Sequence, residues 1–113
     1  MISTFKANIP RKIKEDLQSE VLSAISHPNR IKILKALHKK ALCNCEMMPL
    51  LGLEQSNLSR HLKNMEKSGI LVSWKEGLRV NYRIADDRII ELLDMAEKIA
   101  LKNLRQFNEL VIE

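Results

Sequence analysis

The hydrophobic period of this chain changes at one place and later changes back. Up to Gly69 the apolar residues recur at helical spacing, and from Asp86 onward they do so again. Between these stretches, Val72 and Trp74 alternate with Ser73 and Lys75, and Val80, Tyr82 and Ile84 alternate with Arg79, Asn81 and Arg83. Glu76-Gly77 supplies a short tip between the two runs. A single hairpin set among helices excludes sandwiches, barrels and parallel sheets, and predicts a mainly α domain with one small β-hairpin.

The helical parts divide readily. Ile9, Ile13, Leu17, Val21 and Ile25 recur every four residues and predict a first amphipathic helix, with Pro10 in its first turn. Ser26-His27-Pro28 stops that helix and starts a second, with Ile31, Leu34 and Leu37 on one face. After the polar Lys39-Lys40, a short element runs from Cys43 to Leu51 and is closed by Gly52, which is free to take positive φ at a helix C-terminus. Residues 54–67 form the next helix, with Leu58, Leu62 and Met65 inward and Ser68-Gly69 at its end. Asp86-Asp87 place acidic caps before a long last helix. Its apolar stripe of Ile89, Leu92, Leu93, Ala96, Ile99, Ala100, Leu104, Phe107 and Val111 extends over about 35 Å at 1.5 Å per residue. That is more apolar surface than a small domain can cover by itself, so most of it, together with the first helix, is assigned to a homodimer interface.

A chain of 113 residues, 45% apolar, is one domain's worth of globular protein. It contains no uninterrupted apolar run of membrane-spanning length and no signal-peptide core, so no membrane association and a cytoplasmic location are expected. Its net charge of +5 is unevenly spread. Residues 1–85 carry 15 Lys+Arg against 7 Asp+Glu, whereas residues 86–113 carry 4 against 7. A basic body with an acidic tail segment suits a protein that lays one face on phosphate.

The order helix, helix, short helix, helix, hairpin, helix is that of a winged helix-turn-helix. Three segments carry a closer resemblance: Ser26-His27-Pro28-Asn29-Arg30-Ile31-Lys32-Ile33-Leu34, Ala41-Leu42-Cys43-Asn44-Cys45-Glu46, and Gln55-Ser56-Asn57-Leu58-Ser59-Arg60-His61-Leu62. In these, over roughly residues 20–105, the chain resembles the ArsR/SmtB family of metal- and metalloid-responsive repressors. The resemblance implies a homodimer that binds a palindromic operator in double-stranded DNA and lets go when an effector binds. It divides the domain into dimerisation helices (1–25 and 87–113), a helix-turn-helix (43–67) and a wing (70–84).

The residues themselves support a DNA role. A helix N-terminus entering the major groove needs short polar side chains that approach base edges, and an arginine that reaches guanine. Ser56, Asn57, Ser59 and Arg60 meet that need, and Gln55 and Lys63 flank them. His61 is open between touching phosphate and lying against the core. Lys75, Arg79 and Arg83 are expected on the polar face of the hairpin, along the DNA backbone. Glu54 is a weaker N-cap than serine or threonine.

Cys43 and Cys45, two cysteines one residue apart in a chain expected to be cytosolic, suggest ligands or redox-active thiols. The resemblance makes them ligand positions for a thiophilic effector: arsenite or antimonite, or a soft metal such as cadmium or copper(I). No resident cofactor is required. Trivalent arsenic usually takes three sulfurs, and Met48 stands where some arsenic sensors carry a third cysteine. A water, a small thiol, or one of His38, Met47 and Met48 remain as third donors. The last helix has acids but no histidine, which argues against the family's zinc or nickel site there. Pro49 cannot donate to the carbonyl of Cys45, so the helix is expected to begin near Glu46, or to be distorted if it begins earlier. Chelation of both thiolates would then reorganise a soft helix edge beside the recognition helix.

Two other chemistries stand beside this one. Cys43 and Cys45 could form an easily reduced disulfide and report redox state. A thiol oxidoreductase would need a C-x-x-C on a βαβ unit, which is missing, and no Ser/His/Asp set or glycine-rich phosphate loop is present, so no enzyme is expected. A dimeric protein-binding adaptor fits the basic hairpin poorly.

Overall fold

Residues 11–112 are described by a computed structural model. They form five helices and one three-stranded antiparallel sheet, in the order α1 (Arg11–Ile25), α2 (Pro28–Lys39), β1 (Leu42–Cys43), α3 (Asn44–Leu51), α4 (Gln55–Lys67), β2 (Leu71–Glu76), β3 (Arg79–Ile84) and α5 (Arg88–Ile112). This is the winged helix-turn-helix expected from the periodicity. Ile9 and Pro10, placed by the sequence in the first helix, lie outside the described residues.

Local chemistry explains the corners. The ring nitrogen Nδ1 of His27 accepts the N–H of Asn29 at 3.0 Å, capping α2 ahead of Pro28, whose missing donor costs nothing in a first turn. Gly52 ends α3 at φ 65°, and its N–H closes on the Met48 carbonyl at 2.9 Å. Glu54 caps α4 without a side-chain hydrogen bond, the weak start expected of it. Asp86 Oδ1 accepts the N–H of Arg88 at 3.0 Å at the start of α5.

The core lies between the helix-turn-helix and the sheet. Ile33 and Leu34 of α2, Met47 of α3, and Leu58, Leu62 and Met65 of α4 are fully enclosed, with Leu71 of β2 and Cys43 against them. Ile89 and Leu93 attach the first turns of α5. Much of the apolar surface of α5 up to Asn108 is uncovered: Leu92, Met95, Ile99, Leu101, Leu104 and Phe107 are exposed, as are Ile13, Leu17, Val21 and Leu22 of α1.

Three expectations are corrected. The sheet has a third strand: β1 pairs with β3, Leu42 opposite Tyr82 and Cys43 opposite Asn81, giving the order β1-β3-β2. Helix α3 begins at Asn44, two residues before Glu46, and runs through Pro49. The carbonyl that Pro49 leaves without a donor belongs to the exposed first turn, which is where such a loss is least costly. Finally, the hairpin faces are not those read from each strand alone. The Gly77-Leu78 loop, with Gly77 at φ 63°, sets Val72 opposite Arg83, Trp74 opposite Asn81 and Lys75 opposite Val80. Val72 and Trp74 therefore share the outer face with Arg79 and Arg83, while Lys75 lies on the face that carries Leu71, Tyr82 and Ile84.

Candidate nucleic-acid interface and thiol site

Helix α4 presents its polar residues on one side because Leu58, Leu62 and Met65 bind the other side to the core. Gln55, Ser56, Arg60 and Lys63 are exposed, and Asn57 and Ser59 are half-buried. This keeps six of the seven helix residues singled out by sequence on or near one accessible surface. The seventh, His61, is only 4% exposed, so of its two readings the structure selects the core and removes it from the phosphate-facing set.

His61 is held there by long-range contacts. Arg30 Nε donates to His61 Nδ1 at 2.9 Å, and Arg30 Nη1 donates to the Ala24 carbonyl at 3.1 Å. The His27 and His61 rings lie 4.5 Å apart between centroids. One arginine thus ties the end of α1 and the start of α2 to the middle of α4. Burial, followed by the charges of His27, Arg30 and Arg60, pushes the His61 imidazole below its ordinary pKa of 6.5. A neutral ring is also what the Arg30 bond requires, since Nδ1 must accept. The Nε2 of His61 and the Oδ1 of Asn57 are buried without a hydrogen-bond partner among the described residues.

The two cysteines meet at the start of the helix-turn-helix. Cys43 and Cys45 are joined as a disulfide, their Cα atoms 5.2 Å apart. Cys43 is both the last residue of β1 and the N-cap of α3. Its Sγ accepts the N–H of Glu46 at 3.2 Å, while Glu46 Oε1 accepts the N–H of Cys43 at 3.0 Å, which together make a capping box with sulfur in place of a hydroxyl. Cys43 has no exposed surface, whereas Cys45 is exposed.

The wing reaches the same sulfur. Arg79 Nη2 lies 2.7 Å from Glu46 Oε1 and donates to Cys43 Sγ at 3.4 Å. The Cys43 N–H is the largest influence on the Glu46 carboxyl and holds it below its usual range; burial opposes this, and the nearby Arg79 and Lys40 charges add to the lowering. Glu76 Oε1 accepts from Trp74 Nε1 at 2.9 Å and Asn81 Nδ2 at 2.8 Å, bracing the outer face of the hairpin beside it. Of the three hairpin cations singled out by sequence, Arg79 is committed to the thiol site, Arg83 is exposed on the same face, and Lys75 is exposed on the opposite one.

As for further ligands, Met47 is sealed in the core, Met48 packs partly against it, and His38 is exposed in the last turn of α2. Among the described residues no group of three or more His, Cys, Asp or Glu is gathered to hold a metal ion. No described helix is long and apolar enough to cross a membrane.

Residues 27–73 match the family model described as bacterial regulatory protein, arsR family. The chain is 34% identical over 89 residues to the HTH-type transcriptional regulator Rv0081 of Mycobacterium tuberculosis, covering 78% of each. The crystal structure of that protein superposes with a TM-score of 0.72 at 32% identity, over 81% of this chain and 93% of that one. The repressor SmtB of the same organism is 33% identical over 90 residues, which are 80% of this chain and 66% of SmtB. The cadmium resistance regulatory protein CadC of Lactococcus lactis is 33% identical over 72 residues, or 63% of this chain and 60% of CadC.

Proposed function

The chain belongs to the ArsR/SmtB family of transcriptional regulators, not to a family of enzymes, and from that premise we propose a homodimeric repressor whose hold on a palindromic operator is set by the bonding state of Cys43 and Cys45. Helix α4 enters the major groove with Gln55, Ser56, Ser59 and Arg60 toward base edges, Asn57 lies at the flank with its Oδ1 turned inward, and Lys63 and Arg83 neutralise phosphates. Lys75, on the other face of the wing, is a peripheral phosphate contact at most. Dimerisation uses the exposed apolar residues of α1 and α5, with residues 1–25 and 87–113 as its segments; residues 43–67 read DNA and residues 70–84 form the wing. A cytoplasmic location follows from this function.

The observation that carries the switch is the position of the disulfide: its buried sulfur caps α3, ends β1 and touches Arg79 of the wing. A change at this atom acts on the helix-turn-helix and the wing together. In the redox reading the dithiol form binds the operator. A hydroperoxide oxidises the pair: the two thiols lose two hydrogens and become the disulfide, while the peroxide is reduced to an alcohol and water. The altered cap and wing then release DNA.

A second reading, favoured by the likeness to a cadmium resistance regulator, is capture of a thiophilic ion by the two thiolates. The donor set falls short of a three-sulfur arsenite or antimonite site, so cadmium or arsenic would need a third donor such as water or a small thiol, whereas copper(I) would accept two.

The test is operator binding at several salt concentrations by reduced and by peroxide-treated protein, with Cys43→Ser and Cys45→Ser variants alongside. Release by oxidation in the wild type but in neither variant supports the redox switch. Equal affinity of both forms overturns it. Anaerobic native mass spectrometry with cadmium, copper(I) and arsenite then decides the second reading, by uptake that either serine variant abolishes.

A further inference from the structure

The two sulfurs of the disulfide occupy unlike surroundings, and that difference bears on how the bond opens. Cys43 Sγ is enclosed, receives the N–H of Glu46 at 3.2 Å and lies 3.4 Å from the Arg79 guanidinium. Cys45 is exposed and its sulfur receives no hydrogen bond among the described residues. In thiol–disulfide exchange the attacked sulfur must be reachable, and the sulfur that leaves does so faster when its thiolate is stabilised. A backbone N–H at a helix start and an adjacent guanidinium are both thiolate-stabilising groups. Access and leaving-group stability therefore point the same way.

We propose, on the basis of the disulfide reading above, that the switch is reset with fixed polarity: a thiol reductant attacks Cys45, and Cys43 departs as a thiolate into the Glu46 N–H and Arg79. The attacking thiolate forms a new bond to Cys45 Sγ, and the electron pair of the broken bond stays on Cys43. A second reductant thiolate then attacks the reductant's sulfur in the mixed disulfide, releasing Cys45 as a thiolate, so two reductant thiols end as one disulfide and the protein gains two electrons. Glu46 works against the first step, because its carboxylate holds Arg79 at 2.7 Å and shares the charge that the sulfur would otherwise receive. Removing that carboxylate while keeping the cap should hasten opening, and removing Arg79 should slow it. A purely structural role for the pair predicts no such opposition of sign.

The experiment treats the oxidised full-length protein with glutathione under anaerobic conditions, quenches with acid and a fast alkylating reagent, and locates each adduct by fragment mass spectrometry. Expected is glutathione on Cys45 and the alkyl group on Cys43, in roughly tenfold excess or more over the reverse. Glutathione on Cys43, or an even split, overturns the proposal. Opening rates are compared for Arg79→Gln and Glu46→Gln, the latter chosen because glutamine still completes a capping box. Arg79→Gln should slow opening about three- to tenfold and Glu46→Gln should accelerate it. Equal rates, or both changes in the same direction, overturn the assigned roles. Each variant is first checked for an unaltered urea midpoint, and the wild-type adduct map stands without them. If oxidation removes no two hydrogens from the protein mass, the disulfide reading fails and this proposal with it. If adducts map as expected but operator affinity is the same in both states, only the switch reading fails.

Discussion

Arg30 and His61 provide the sharpest check on how the DNA-reading helix is held. Replacing Arg30 with Met keeps the length of the side chain but removes the donors to His61 Nδ1 and the Ala24 carbonyl. Hydrogen bonds from a charged donor contribute about 1.5–3 kcal/mol each, less when the donor is only partly buried, and a deserted acceptor adds its own desolvation cost. The expected loss is about 2–4 kcal/mol, or roughly 4 °C of Tm per kcal/mol in a chain of this length. His61→Leu alone should cost about 1–2 kcal/mol, since leucine fills the site but leaves Arg30 Nε without its acceptor. The double variant should cost less than the sum of the two by about 1–2 kcal/mol, because the lost bond is counted only once. Urea unfolding at pH 8 and one fixed protein concentration measures all four proteins, the fixed concentration being needed because dimerisation adds to apparent stability. A coupling below about 0.3 kcal/mol would refute the claim that this bond pins α4.

Three further outcomes are expected. Because burial depresses the His61 pKa, the folded protein keeps this ring neutral while the unfolded chain takes up a proton near 6.5, so its contribution is full above that pH and is lost as pH falls toward the lower folded value; urea midpoints between pH 8 and 5 should fall in the wild type and flatten in His61→Leu. Glu54→Ser supplies the side-chain cap that α4 lacks and should raise stability by about 0.5–1 kcal/mol in the same assay. Lys63→Ala should lower the slope of log affinity against log salt by about 1 for any duplex, whereas Arg60→Ala should cost about 1–3 kcal/mol on the operator and relax preference at one base pair, both read by titration of labelled DNA.

Periodicity made the helices, their inward faces and the position of the hairpin legible, since Leu58, Leu62 and Met65 at helical spacing leave α4 only one way to pack. It could not supply the pairing of the hairpin. Val72 and Trp74 look like an inward row taken alone, but the two-residue loop sets them opposite Arg83 and Asn81. Strand β1 is two residues long and finds its partner almost forty positions away, too short and too distant for any local pattern. The sulfur cap did leave a trace: Cys43 and Glu46 have the spacing of a capping box, hidden because cysteine is not a usual cap. The Arg30–His61 and Arg79–Cys43 contacts join residues 31 and 36 positions apart, so the candidate site could be named by residue while its connections could not.

The sharing of Cys43 between β1 and α3 also limits how chains of this design can vary in length. An inserted residue between Leu42 and Glu46 would force either the pairing with Tyr82 and Asn81 or the Cys43–Glu46 cap to give way, since Cys43 could no longer serve both. Most surface junctions absorb insertions at little cost, but here the strand passes into the helix with no intervening loop. Length changes that preserve folding should therefore collect before Leu42, around Lys40 and Ala41, or at the Gly77-Leu78 tip. A library of single-residue insertions scored for folding would show a gap over residues 42–46 as sharp as any in the buried core.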